Sequence, residues 1–160
     1  MVNKRKLLEK IITRLRDELT SFARAARAAH AEATDPQSKA ENKYDTRGLE
    51  AAYLAGAQSR QAAETQAAIE SFEKLALKTF EPTDPIDLSA LVELETTAER
   101  NFYFIGPAKG GLEVQLGDDE IIVITPQSPL GGELMGRRRG DRFKRGQGRN
   151  AMEFRIVGVS

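Results

Sequence analysis

The chain has 160 residues, of which 40% are apolar and 6% aromatic, so it suits one ordinary domain or two small ones with few large core residues. Its 24 basic and 24 acidic residues balance, which excludes a global field that would draw the chain to nucleic acid or membrane. The absence of cysteine excludes disulfides and thiolate sites, and a single histidine, His30, excludes a multi-histidine metal site. No apolar run is long enough to cross a membrane, so we expect a cytoplasmic protein without a membrane partner.

The first segment is predicted to be one long helix over 3–33. Apolar residues recur at steps of three and four from Leu8 to Ala29, which indicates a narrow seam of the coiled-coil type. Pro36 ends the pattern, because proline cannot continue a helix.

A second helical tract follows from residue 40 or 46 to residue 77. Its apolar stripe is looser and includes Leu49 and Tyr53. Two long helices joined by a short break favour an antiparallel hairpin with its tip near 34–48.

The composition changes after residue 77, because 78–160 hold eleven of the thirteen glycines and five of the six prolines. We therefore predict a hairpin domain over 1–77 and a second domain over 78–160. The second domain alternates short apolar segments with turn residues, which predicts a small antiparallel sheet and an α+β protein. The predicted strands are 90–97, 101–106, 111–116, 120–125 and 153–159.

One short helix is predicted between the last two of these strands. Ser128 is a good N-cap, Pro129 suits the first helical position, and Gly136 suits the end. Three arginines follow it directly.

These features together resemble the Gre family of bacterial transcript-cleavage factors. The resemblance rests on "SPLGGELMGRRRGD" at 128–141, on the final "EFRIVGV", and on "AENKYDTRGLEAAYLAG" at 40–56. It implies a long antiparallel coiled-coil hairpin followed by an FKBP-like domain.

The resemblance also implies a function. Gre factors bind RNA polymerase at its secondary channel and insert the hairpin, whose acidic tip helps to hold a second Mg²⁺ and an attacking water. The polymerase then cleaves backtracked RNA with its own active site. This chain is accordingly expected to have no active site, cofactor or stably bound metal of its own. Its partners are expected to be RNA polymerase and the RNA and DNA of the elongation complex, with Mg²⁺ shared with the polymerase.

The implied tip carboxylates are Glu41 and Asp45, which lie four residues apart and share one face if this segment is helical. Mg²⁺ prefers hard oxygen ligands of this kind. The alternative interpretation is that both acids only solvate the start of a helix and favour its dipole. Aligned on the Glu-Asn pair, the chain has Ser38 where the family has an Asp three residues earlier; aligned on Tyr44, it has Gln37 there and Ala40 in place of the Glu.

The implied polymerase-docking segment is a short run next to the predicted helix: Gln127, Ser128, Pro129, Leu130 and Gly131. A purely structural interpretation, a capped helix packed on the sheet, is compatible with docking. A basic patch follows, which would pair with acids or phosphates, or would lie along a strand with half of its charges solvated. It comprises Arg137, Arg138, Arg139, Arg142, Lys144 and Arg145.

Three functions remain open at this point. The first is stimulated RNA cleavage, and the second is a regulator or inhibitor that occupies the same channel without supplying metal ligands. The third is a coiled-coil scaffold or homodimer outside transcription, because alanine-rich helices pair between chains as readily as within one. We expect a monomer.

Overall fold

The computed structural model describes residues 2–38, 41 and 46–160. By their contacts the residues divide into two compact units. The globular unit comprises Met1–Ile11 and Ser71–Ser160, and the hairpin unit comprises Ile12–Glu70. Within the described ranges, no helix is both long and apolar enough to span a membrane.

The predicted helical hairpin is confirmed. Helix α1 spans Lys4–Thr34, a 3-10 turn spans Pro36–Ser38, and helix α2 spans Arg47–Glu73. In the hairpin unit, the late α1 residue Ala26 and the early α2 residue Ala52 line one groove, so the two helices run antiparallel.

The seam of α2 differs from the predicted stripe. Seven of its buried and half-buried residues follow heptad spacing, which keeps one narrow face toward the partner helix. Leu49 and Tyr53 lie outside this line and are 58% and 72% exposed. Their inclusion in the stripe was therefore wrong. The large residues Ile69 and Phe72 near the end of α2 determine which face of the helix is buried, and heptad spacing from them places Ala51 in the seam. The seam comprises Ala51, Ala55, Gln58, Ala62, Thr65, Ile69 and Phe72.

Helix α2 ends at Glu73, four residues before the predicted end at 77. The Leu75 amide donates to the Phe72 carbonyl at 3.1 Å, which tightens the last turn. The Lys78 amide then donates to the Ser89 hydroxyl at 2.9 Å. This hydrogen bond to a residue eleven positions later competes with helix continuation, and no local pattern reveals it.

The globular unit contains one six-stranded sheet in the order β3-β4-β2-β1-β6-β5. Four of its strand pairs are antiparallel, as predicted, but β2 and β4 are parallel. The chain crosses from β2 to the sheet edge in β3 and returns in β4 beside β2, which gives β2 and β4 the same direction. The strands are β1 Leu91–Glu95, β2 Arg100–Ile105, β3 Glu113–Leu116, β4 Asp119–Ile124, β5 Arg142–Arg145 and β6 Met152–Val159.

Strand β5 confirms the alternative that the basic run lies along a strand, although it was not among the five predicted strands, because three of its four residues are basic. It forms an edge strand whose only apolar residue, Phe143, is buried and stacks on Phe154 of β6 at 5.4 Å between ring centroids. This aromatic anchor and the backbone ladder join the strand to β6.

One face of the sheet carries a continuous apolar core. The short helix α3, Pro129–Leu134, packs there through its buried Leu134. The core comprises Ile86, Ala90, Val92, Leu94, Ile105, Ile124, Leu134, Phe143 and Ile156. The predicted short helix is thus confirmed, and it covers this face of the sheet.

Candidate functional site

The implied docking segment forms a rigid corner between β4 and α3. Ser128 caps α3 in an extended conformation, and its hydroxyl accepts from the Gly131 amide at 3.1 Å. The same hydroxyl donates to the Thr125 carbonyl at 2.7 Å. Ser128 therefore uses both its donor and its acceptor to fix the corner, as expected for an N-cap.

Gly131 is required by the close approach of two backbone segments. An added Cβ at this position would lie 1.8 Å from the Thr125 carbonyl oxygen, so no other residue fits without backbone movement. Gly132 differs, because its added Cβ would meet nothing closer than the Pro126 carbonyl oxygen at 3.4 Å. Gly136 follows the helix with a φ of 79°, in agreement with its predicted role at the helix end.

The five predicted docking residues therefore have two different roles in the structure. Ser128 and Gly131 build the corner, and Leu130 is half-buried against the core. Gln127 and Pro129 are exposed at its surface. The corner thus presents one amide side chain and one proline ring, held on a fixed backbone, to any partner.

The tip of the hairpin is described only in part. Glu41 is exposed, whereas Asp45 lies outside the described residues, so its position relative to Glu41 stays a prediction. Beside the tip, the Asp35 carboxylate accepts from the Gln37 amide at 2.8 Å. The Arg47 guanidinium donates to the Gln37 carbonyl at 2.7 Å and so joins the start of α2 to the 3-10 turn.

No group of three or more His, Asp or Glu side chains suited to a metal ion occurs in the described part of the chain. Glu41 by itself offers one exposed carboxylate, a ligand type that suits Mg²⁺ but provides only one or two of the ion's six positions. This donor fits a metal site that a partner completes.

Two of the six basic-patch residues are engaged with α3. The Arg137 Nε donates to the Glu133 carbonyl at 2.6 Å, and its guanidinium lies 5.0 Å from the Phe143 ring centroid. The Arg145 Nε lies 3.6 Å from a Glu133 carboxylate oxygen. Sequence reasoning missed Glu133, because its carboxylate pairs with Arg145 on β5, and no local spacing reveals that pair.

The other four basic residues are exposed. Arg138 donates through its Nε to the Thr83 carbonyl at 2.8 Å, and its backbone amide donates to the Asp141 carboxylate at 2.9 Å. Arg142 faces Glu153 at 3.7 Å. Arg139 and Lys144 complete the set, so the predicted patch is not one continuous surface: Arg142 and Lys144 alternate along β5 with Phe143 and Arg145, which lie on the opposite face.

Comparison with known proteins gives similarity to solved structures only. No protein-family model and no curated protein matches the chain. The GreA factor homolog 1 (Gfh1) of Thermus thermophilus is 25% identical, with 97% of this chain and 93% of that chain covered and a TM-score of 0.37. The Gfh1 of Thermus aquaticus is 27% identical, with 96% and 92% covered and a TM-score of 0.37.

A prokaryotic transcription elongation factor GreA/GreB from Nitrosomonas europaea is 17% identical. That similarity covers 60% of this chain and 78% of the other, with a TM-score of 0.38. At scores this low the similarities carry no weight for function, which has to be judged from the chain's own residues.

Proposed function

We propose that this protein is a Gre-like transcription elongation factor that binds RNA polymerase in the bacterial cytoplasm and reaches its active site through the secondary channel. The observation that carries the proposal is the corner at 125–132. There a motif that resembles the Gre docking segment coincides with a rigid backbone that exposes Gln127 and Pro129. The same chain carries a two-helix hairpin, as the proposed mechanism requires.

Docking at the corner is proposed to position the protein on the polymerase without taking part in the cleavage reaction. Because Ser128 and Gly131 fix the backbone, the exposed side chains bind without a large loss of conformational freedom. The proposed role of the globular unit is to hold the protein at the channel, and the proposed role of the hairpin is to enter it.

The leading mechanism is stimulated cleavage of backtracked RNA. In this mechanism Glu41 contributes a hard oxygen ligand to a metal site completed by the polymerase, and Asp45 is its proposed companion. The attacking water and the bond cleavage belong to the polymerase, so the protein is proposed to be an accessory factor rather than an enzyme.

A second function is favoured by Ser38, which stands where the Gre family has an acid. A hydroxyl is a neutral and weaker ligand for Mg²⁺ than a carboxylate. With Glu41 as the remaining acid of that pair, the protein would occupy the channel and regulate or inhibit transcription without stimulating cleavage.

A cleavage assay separates the two functions. Backtracked elongation complexes with labelled RNA are incubated with Mg²⁺ and the purified protein, and RNA shortening is measured over time. The leading mechanism predicts shortening by the wild type and a loss of about a hundredfold in rate for Glu41→Ala or Asp45→Ala, because each removes a metal ligand. Glu64→Ala removes an exposed acid elsewhere on α2 and is expected to leave the rate unchanged.

Ser38→Asp tests the second function directly. If the wild type does not stimulate cleavage but competes with a genuine Gre factor, and Ser38→Asp gains cleavage, the protein is a channel-occupying regulator. If the wild type neither stimulates cleavage nor competes with a Gre factor, both functions are rejected and the coiled-coil scaffold remains.

A further inference from the structure

The face of the sheet opposite α3 carries an unusual concentration of charge. Val92 and Leu94 of β1 belong to the apolar core, so Glu93 and Glu95 point to the other face. In the ladders, Glu95 stands opposite Arg100 of β2 and opposite Arg155 of β6. Half of a sheet face is therefore covered by charged side chains instead of by a second core.

Three neighbouring hollows that share lining residues lie on this charged half of the sheet face. The central one has a volume of about 400 Å³ and is lined by Arg100, Arg139 and Arg155 together with Glu93 and Glu95. A hollow of about 270 Å³ shares Glu93 and Arg139 with it, and one of about 170 Å³ shares Glu95 and Arg155. We call the three together the charged groove.

The carboxylates of the charged groove already have partners. Arg100 lies 2.9 Å from Glu95 and 3.3 Å from Glu93. The hydrogen bond and the charge of Glu95 raise the pKa of Arg100, which agrees with this pairing. At the far end, Glu153 faces Arg142.

Two guanidinium groups remain in the centre. Arg139 and Arg155 line the same hollow, and neither forms an ion pair with a residue in the described part of the chain. Two unpaired guanidinium groups around one hollow are suited to a carboxylate or a phosphate, because each offers a planar fork of donors.

The remaining end of the groove is apolar. The hollow of about 270 Å³ is lined by Val2, Phe102 and Val159, all half-buried, in addition to Glu93 and Arg139. An apolar subsite thus adjoins the two unpaired arginines.

We propose that the charged groove binds a segment of a partner protein in which an acidic side chain lies next to an apolar one. The acidic side chain binds Arg139 and Arg155, and the apolar one contacts Phe102 and Val159. A nucleic-acid backbone suits this groove less well, because a row of phosphates would extend past the two arginines to the glutamates, and the apolar end offers phosphates no donor. The inference does not depend on the proposed function, since the groove and the docking corner occupy opposite faces of the sheet.

The test uses the full-length ¹⁵N-labelled protein and three probes: acetyl-Leu-Glu-Leu-Glu-amide, its glutamine counterpart, and a short oligouridylate RNA. Amide shifts are followed during titration. The glutamate peptide is expected to shift the amides around Arg139 and at 155–159, and to bind about fivefold more tightly than the glutamine peptide.

Two double variants complete the test. Arg139→Gln with Arg155→Gln is expected to lower the affinity for the glutamate peptide to that of the glutamine peptide. Lys74→Gln with Arg149→Gln removes the same charge outside the groove and is expected to keep the wild-type affinity. The inference is overturned if no groove amide shifts, if both peptides bind equally, if both double variants weaken binding equally, or if only the RNA shifts these amides.

Discussion

Two adjacent glycines in α3 show how different the demands on one residue type can be. Gly131 faces the Thr125 carbonyl, whereas Gly132 faces open space beyond the Pro126 carbonyl. The sequence "PLGGEL" gives both the same local context, so it does not reveal which of them permits the close approach. That distinction depends on the position of the Thr125 carbonyl at the end of β4, which is determined by tertiary structure.

The first prediction concerns this pair. Gly131→Ala is expected to lower the free energy of unfolding of the globular unit by about 3 kcal/mol, because its methyl group would overlap the Thr125 carbonyl. Gly132→Ala, the matched control, is expected to change it by less than about 1 kcal/mol, in the stabilising direction that the helix propensity of alanine favours. Hydrogen exchange of the buried strand amides measures both values. Equal effects would contradict the described packing of the corner.

At the scale of the elements, Lys4 connects the start of α1 to the segment that follows α2. Its ammonium donates to the Lys78 carbonyl at 2.5 Å and to the Ser89 carbonyl at 3.2 Å. It also lies 4.9 Å from the Phe80 ring centroid. Burial lowers the pKa of Lys4, because the ammonium loses solvation. This loss offsets part of the stabilisation that the two hydrogen bonds provide.

The second prediction is that Lys4→Met destabilises the first turns of α1 by about 1 kcal/mol, because it keeps the apolar stem and removes the ammonium donors. Lys6→Met is the control, since Lys6 is exposed on the same helix. Hydrogen exchange of the α1 amides at 7–11 is the measurement. Similar exchange rates in the two variants would show that the contacts of Lys4 contribute nothing.

The elements were predictable where a local pattern determines them. Steps of three and four gave α1, the Ser-Pro pair gave α3, and apolar segments between turn residues gave five of the six strands. The end of α2 was not predictable, and β5 was predictable only as an alternative, because each depends on a distant partner: Ser89 for the Lys78 amide, and β6 for Phe143.

At the scale of the whole molecule, the heptad seam of the hairpin bears on the scaffold hypothesis. The buried residues of α1 and α2 include Leu15, Ala29 and Ala51, and the late part of α1 meets the early part of α2 within one chain. A seam already used within the chain leaves less apolar surface for pairing between chains. Sedimentation should therefore give the mass of a monomer.

The candidate site was predictable as a stretch of chain but not as a surface. The resemblance indicated the docking segment, yet only the structure separates Gln127 and Pro129, which are exposed, from Ser128 and Gly131, which build the corner. In the same way, a run of basic residues looked continuous, although strand alternation and Glu133 divide it between two faces.

Binding of RNA polymerase through the docking corner is measured by titrating the labelled protein with bacterial RNA polymerase and following fluorescence anisotropy. We predict saturable binding by the wild type and by Asp118→Ala, an exposed control in the β3–β4 turn. The affinity of Gln127→Ala with Pro129→Ala is expected to be about tenfold weaker, because both exposed contacts are lost while the corner is kept. An absence of binding by the wild type, or equal binding by all three proteins, would show that the docking corner does not hold the protein on the polymerase.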